Sequence, residues 1–370
     1  MGAGTDTETG MRIAVLGSGA GGTAVAFDCA SHGHTVRLFD FPRFAENVAA
    51  IARTGSISAD GDIEGTAPLA SAGHDIDEAL EEAELVYVVG PAYATEPFGE
   101  AVRGRLTAGQ TVIVSPSSCG GALAFRRAAG LDPEDRSIRL AETSTLHYAV
   151  RLVAPGSIRV FLKLRAGNLL AALPGADTAA VLEQIADVYP GMEPAGNVLQ
   201  TSLQNANPVI HPAVTLANAA RIEGTGGDFL FYEEGVTDSV GRLIEALDVE
   251  RIAIGRALGL EILPDPEMGV RQGYMREANY GSGYRRAPGF RGIGAQPALD
   301  HRYLNEDVGY GLVFMSRLGD QVGVETPAMD AVIRLASVLM EHDYAAEARR
   351  TPETLGIGAL GPDDLEKRLG

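Results

Sequence analysis

The amino-acid sequence predicts an α/β protein in which a doubly wound parallel sheet is followed by a mainly α-helical domain. Three observations carry this reading. A glycine-rich turn joins two apolar runs near the start, strand, turn and helix alternate from there to about residue 121, and beyond Gly191 the apolar spacing becomes helical. At 370 residues the chain is long enough for two domains, each with its own core.

Residues 13–16 are a continuous apolar run that ends in Gly17, which suits a strand covered on both faces. Gly17, Gly19 and Gly22 then fit G-x-G-x-x-G. The first glycine permits a tight turn, the second lets a pyrophosphate approach the backbone, and the third lets helix and strand pack closely. Residues 23–31 read as a helix whose N-terminus would aim unpaired N–H groups at phosphates. A second apolar run, 36–39, ends at Asp40, where an acidic side chain accepts hydrogen bonds from an adenosine ribose. This βαβ setting predicts a Rossmann domain, with Gly17, Gly19, Ala20, Gly22 and Asp40 at the dinucleotide. Asp40 favours NAD, because a carboxylate there repels the extra phosphate of NADP; Arg43, three residues on, could pair with that phosphate and keeps NADP open.

Residues 44–53 form a predicted helix, 56–70 carry Gly and Asp turns between short β-prone pieces, and 75–82 read as a short acidic helix. A third buried strand over 85–89 ends at Gly90-Pro91, the ligand-facing edge of a parallel sheet, so Pro91 joins the cofactor set. A fourth over 111–114 ends in the turn Ser115 to Gly121. Three further β-prone runs, 138–140, 158–164 and 169–173, would widen the sheet, and a helix over 178–188 closes the domain at Tyr189-Pro190-Gly191. The predicted division is therefore a disordered leader over 1–10, a dinucleotide-binding domain over 11–190 and a helical substrate domain over 191–366. In the second domain 236–260 is the longest helical pattern, Thr326-Pro327 opens another that runs through Met340, and 264–294, rich in Gly, Pro, Arg and Tyr, forms a loop-rich segment over the cleft.

Composition narrows the function. Forty-nine acidic against 30 basic residues give a net charge of -19, which repels nucleic acid and anionic membranes. No uninterrupted apolar run approaches the roughly 18 residues of a membrane span. Cys29 and Cys119 lie far apart and form no C-x-x-C, so no metal site is expected and a reducing cytoplasm is the simplest setting.

The chemistry concentrates in residues 202–221, where Asn205, Asn207 and His211 open an otherwise apolar helix. A helix from Pro208 would put Asn207 and His211 one turn apart on one face, whereas a helix from Pro212 would leave His211 just before it. Either places the imidazole near a helix N-terminus. A carboxylate partner that fixes its tautomer is expected from Glu306 or Asp307.

The sequence resembles the octopine and nopaline, or opine, dehydrogenase family. The likeness rests on the glycine loop, Glu142-Thr143-x-Thr145-Leu146-x-Tyr148-Ala149-x-Arg151, Asn207-Pro208-x-x-His211-Pro212, Phe231-Tyr232-x-Glu234-Gly235 and Arg302-Tyr303-Leu304-x-Glu306-Asp307-Val308. The resemblance implies a Rossmann domain followed by a helical one, NAD(P)H-dependent reductive condensation of an amino acid with a 2-oxo acid, and a catalytic histidine and partner aspartate at His211 and Asp307. His147 and Val150 depart from the pattern where proline and cysteine are frequent, as does Gly309 where proline is common; His147 becomes a second candidate acid or base. Substrate carboxylates need a cationic or N–H-rich anchor, for which Arg151, Arg302 and the turn holding Ser118 and Cys119 are candidates, with Asn207 beside them. Only two lysines occur, Lys163 and Lys367, which disfavours related two-domain reductases that use a lysine on the helical domain. A 2-hydroxy acid dehydrogenase using the same pair, and a non-catalytic dinucleotide sensor, are the alternatives. A homodimer is compatible with all three.

Overall fold

The computed structural model describes residues 10–370, so the leader expectation lies, but for Gly10, outside the described residues. Among the described residues twelve strands are present: β1 (Arg12–Leu16), β2 (Thr35–Phe39), β3 (Ser56–Gly61), β4 (Gly65–Pro68), β5 (Ser71–Gly73), β6 (Leu85–Val88), β7 (Thr111–Val114), β8 (Arg139–Thr143), β9 (Tyr148–Ala154), β10 (Ser157–Lys163), β11 (Asn168–Ala172) and β12 (Met192–Pro194). Eight of them form one sheet in the order β12-β11-β8-β7-β6-β1-β2-β5, parallel except for the β8–β11 pair. The register aligns Leu16 with Phe39 on one side and Val88 on the other, and Val88 with Val114. The turns that follow β1, β2, β6 and β7 therefore open along one edge, where ligands of doubly wound sheets sit.

Two expectations are corrected. The run at 158–164 does not widen this sheet: β10 pairs with β3 and β9 in a second sheet of order β4-β3-β10-β9. Its side chains alternate, with Ile158 and Val160 buried and Arg159 and Phe161 exposed, whereas β11 is buried throughout. Alternation marks a one-faced sheet; continuous burial marks the central one. The second correction concerns the domain boundary. β12 pairs with β11 beyond Gly191, so the sheet ends at Pro194.

The small sheet packs on the helix Ala20–Ser31, whose residues 22–30 are all buried. That helix is buried around its circumference, and apolar there but for Thr23 and Asp28, because it lies between two sheets. Its buried Asp28 receives Lys163 Nζ at 2.7 Å and the Tyr148 hydroxyl at 2.6 Å, which commits one of the two lysines to structure.

Beyond Pro194 the chain is helical. Asn207–Ala217 runs through the core of the second domain, buried from Pro208 to Leu216. It starts at Asn207 and continues through Pro212, which resolves the two geometries left open by the sequence: Asn207 and His211 are one turn apart. Pro208 needs no N–H in the first turn, whereas Pro212 forfeits one intrahelical bond. The long helix Asp238–Ala257 and the helix Pro327–Met340 pack on it, Val313–Val322 packs on those two, and Ile244, Leu247, Phe314, Leu318, Met329 and Val332 belong to the shared core. The fully buried Asp248 and Arg251, 2.6 Å apart, tie the segment 264–294 to the long helix: Asp248 accepts the Asp265 N–H and the Tyr280 hydroxyl, and Arg251 donates to the Leu263 carbonyl.

Candidate active site

A cavity of about 510 Å³ lies between the sheet edge and the helical domain. One wall is Gly19 to Gly22 with Gly90 and Pro91; the opposite wall carries His211, Tyr232 and Tyr303; and the segment 264–294 supplies Met268, Tyr274 and Phe290.

His211 is held on three sides. Its Nδ1 lies 2.8 Å from Asp307 Oδ2 and its Nε2 3.0 Å from the Tyr232 hydroxyl, while Tyr303 stacks on the ring at 4.0 Å between centroids. A carboxylate only accepts, so Nδ1 carries the proton donated to Asp307, and in the neutral tautomer Nε2 accepts from Tyr232. Burial pushes the Tyr232 phenol well above its ordinary value, so it remains a hydroxyl donor. Asp307 belongs to a segment of π-helix, Asp307–Leu312, directly after the short helix Arg302–Asn305 that carries Tyr303. One stretch of chain thus supplies both the acid that orients the imidazole and the ring that flattens it.

The glycine loop fits a dinucleotide on steric grounds internal to the protein. A Cβ at Gly17 would stand 2.0 Å from the Val89 carbonyl oxygen, and one at Gly22 1.8 Å from that of Gly17. At Gly19 nothing lies within 4 Å. The outer two glycines are required by the fold itself, whereas the space over the middle one is open at the helix N-terminus, where no side chain caps the first amides. Asp40 ends β2 as expected, yet its buried carboxylate already serves the loop. Oδ2 accepts the Ser18 amide at 2.6 Å and hydroxyl at 2.7 Å, and Oδ1 accepts the Phe41 amide at 2.7 Å. Arg43 is exposed, with its guanidinium over the rings of Phe41 and Phe44.

The chain matches the alpha-helical domain of NAD/NADP octopine/nopaline dehydrogenase over residues 194–340 and the N-terminus of NAD-dependent glycerol-3-phosphate dehydrogenase over 12–117. It is 38% identical over 351 residues to the opine dehydrogenase of Arthrobacter sp. (strain 1C), covering 94% of this chain and 95% of that one. The chain belongs to the opine dehydrogenase family. Among solved structures, octopine dehydrogenase with NADH and L-arginine superposes with a TM-score of 0.76 at 18% identity, covering 95% of this chain and 97% of that one. NADP+-bound yersinopine dehydrogenase superposes with a TM-score of 0.69 at 17% identity, covering 98% of each chain. As a member of that family, the protein is an NAD(P)-dependent dehydrogenase. Among the described residues no helix is long and apolar enough to cross a membrane, and no three His, Cys, Asp or Glu side chains are grouped to hold a metal.

Of the residues singled out by sequence, Gly19, Ala20, Gly22, Pro91, Arg151, Asn207, His211 and Arg302 line this cavity, and Asp307 stands directly behind His211. Gly17, Asp40 and Arg43 lie along the loop outside it. The turn at Ser118 to Gly121 is not an anion anchor. It does not line the cavity, and Gly120 N–H is taken by Ser202 Oγ at 2.8 Å, Gly121 N–H by Ser117 Oγ at 3.3 Å and, just beyond the turn, Ala122 N–H by Glu142 Oε2 at 2.7 Å. Cys119 is wholly buried among core side chains, where burial pushes its thiol up, and Ser118 Oγ donates to Glu306 Oε1. His147 is likewise removed from the cavity. It stacks on Tyr189 at 4.0 Å with Nδ1 2.8 Å from Asn168 Nδ2, and burial lowers its pKa to about 3.

Tyr232, Tyr303 and Asp265 are the site residues that spacing alone did not single out. The two tyrosines stand in the quoted family motifs, Phe231-Tyr232 and Arg302-Tyr303, and those motifs are the signal that points to them. Asp265 opens the loop-rich segment and faces the cavity, where burial and the neighbouring Asp248 push its carboxyl up to about 6.

Proposed function

We propose that His211 is the acid and base of this opine dehydrogenase, acting on an imine formed in the cavity from an amino acid and a 2-oxo acid, with NADH as reductant. The carrying observation is that the imidazole, fixed by Asp307 at 2.8 Å, lines the same cavity as the open face of Gly19.

The amine adds to the 2-oxo carbon, and the resulting carbinolamine must lose its hydroxyl as water before reduction. The neutral ring of His211 first accepts the proton that the amino acid's ammonium loses as its nitrogen attacks. The protonated ring, its charge balanced by Asp307, then returns that proton from Nε2 to the hydroxyl, which leaves as water and leaves an iminium that takes hydride to become the product amine. What a bound nicotinamide supplies is hydride to the imine carbon. Tyr232 holds Nε2 in the absence of substrate, and Tyr303 keeps the ring from rotating out of line. Arg302 and Arg151, both on the cavity wall, pair with the carboxylates of the two substrates: each reactant brings one, and Arg302 is assigned the 2-oxo acid. The loop 17–22 and helix N-terminus hold the pyrophosphate and Asp40, through the loop, the adenosine ribose. The carboxylate at Asp40 supports NADH over NADPH, and Arg43, committed to two rings, offers the extra phosphate little.

Oxidation of NADH is measured with pyruvate alone, with each member of an amino-acid panel alone, and with both together. Consumption only with both present is expected. Consumption with pyruvate alone returns the protein to the 2-hydroxy acid reading, and none across the panel returns it to the sensor.

A further inference from the structure

Glu306 and Asp307 are neighbours in sequence that face opposite ways. Asp307 turns into the helical domain toward His211, while Glu306 reaches across to the sheet edge. There its Oε1 accepts the Ala92 amide at 2.8 Å and the Ser118 hydroxyl at 3.2 Å. Its Oε2 lies 2.9 Å from Arg302 Nε, one turn earlier on its own helix. The side chain is buried, and the guanidinium it holds lines the cavity.

Which group positions which follows from what fixes the loops. Arg350, fully buried, sends Nη1 to the carbonyls of Ser117, Ser118 and Cys119 at 3.0, 3.0 and 3.1 Å and Nη2 to that of Ala92 at 2.7 Å. Ala92 is therefore held by its carbonyl from Arg350 and by its N–H from Glu306. The loops after β6 and β7 do not depend on Glu306 for their shape, because four hydrogen bonds from the C-terminal segment set it. They are a fixed frame, and Glu306 is the arm that takes the position of that frame to Arg302.

We propose that Glu306 is a positioning residue for the condensation: it sets the Arg302 guanidinium relative to the turns after β6 and β7, so that the 2-oxo acid's carboxylate is registered to the cofactor side of the cavity as well as to His211. This rests on the reading of Arg302 as the anchor of that carboxylate. A short ion pair on a helix surface fixes a guanidinium only relative to its own helix; a carboxylate whose other oxygen is bonded to the opposite domain fixes it relative to both. Burial pushes the Glu306 carboxyl up while the Arg302 charge opposes this, so the ionised form depends on its partner.

The test is Glu306→Gln, Arg302→Ala and the double variant, assayed with pyruvate as the 2-oxo acid and the amino acid that supports fastest NADH oxidation. The substituted glutamine retains a carbonyl for the Ala92 and Ser118 donors but presents an N–H₂ to the guanidinium, which cannot pair with it. The expected result is a KM for pyruvate raised about tenfold by Glu306→Gln, with kcat, NADH affinity and melting temperature nearly unchanged, and no further rise when the change is added to Arg302→Ala. An unchanged KM in Glu306→Gln, where Arg302→Ala raises it, overturns the positioning role alone. A Glu306→Gln effect that persists undiminished in the Arg302→Ala background overturns it as well, since the glutamate then acts through something else. If Arg302→Ala itself leaves the pyruvate KM unchanged, the anchor reading falls and takes this inference with it.

Discussion

Tyr303 lies flat on the imidazole of His211, ring centroids 4.0 Å apart and planes inclined by 23°, while Asp307, four residues further along, takes the edge of the same ring at 2.8 Å. Face and edge are thus fixed from one segment, and in the proposed reaction Nε2 is the working atom once substrate displaces the Tyr232 hydroxyl.

His211→Ala is expected to lower kcat about 10²- to 10⁴-fold, the usual range for a lost acid/base, with NADH affinity held. Asp307→Asn keeps an acceptor near Nδ1 but removes the charge that balances the imidazolium, so kcat falls while the fold stands. Stopped-flow reduction rates and NADH fluorescence titration check both; wild-type turnover in Asp307→Asn would sink the pair as the catalytic unit.

The glycines separate stability from cofactor binding. Gly19→Ala meets no atom within 4 Å and sits in an extended conformation, φ -64 and ψ 179, that any residue adopts, so the melting temperature should hold while NADH affinity falls about tenfold or more. Gly22→Ala drives a methyl group to 1.8 Å from the Gly17 carbonyl, so it should unfold at lower temperature by an overpacking cost of about 1–3 kcal/mol or more. Thermal melts and NADH titrations on the two variants are the comparison; equal melting losses would contradict it.

Asp40→Ala should do more than weaken NADH. The Ser18 amide and hydroxyl and the Phe41 amide all lose their acceptor in a buried setting, which predicts about 1–3 kcal/mol of lost stability per stranded donor at most. Asp40→Asn, which keeps one carbonyl oxygen, should recover part of the stability and less of the affinity. Urea unfolding of the apoprotein isolates the first effect, since no cofactor is present to add its own.

His147 predicts the acid side of the stability profile. Its pKa is about 3 in the folded protein against 6.5 as the reference, so below pH 6.5 the unfolded chain binds a proton that the folded one refuses. Stability therefore falls with decreasing pH between those values, by up to about 1.4 kcal/mol per pH unit from this group. His147→Gln, which retains an acceptor for Asn168, should flatten that slope in urea melts taken between pH 4 and 7 while leaving turnover at neutral pH close to wild type. An unaltered slope would remove His147 as its source.

The parts of the fold legible in sequence were those written in local pattern. The glycine loop, the strand at Thr111–Val114 and the helix that Thr326-Pro327 opens each follow from residues within a dozen positions of one another. β10 was misplaced because its run was read for β-propensity rather than for alternation, and alternation is what separates a one-faced sheet from a central strand. At the site, His211, Asp307 and the arginines were legible from motif and chemistry. The contacts of Arg350 were not, since they close over more than 230 residues, with Ser118 232 positions away. Nor was the orientation of the turn at Ser118: Ser118, Cys119 and Gly120 have φ of 47°, 66° and 69°, and a left-handed turn with only one glycine in three sends its amides inward and Cys119 into the core.

The helix Ala20–Ser31 has sheet against both sides and no solvent face, and its cost and benefit reach beyond packing. Such a helix is braced on both sides, so a dinucleotide meets amides that are already aimed. Its affinity is then spent on contact rather than on ordering a floppy loop, and association should be rapid, with little change in the backbone between empty and filled states.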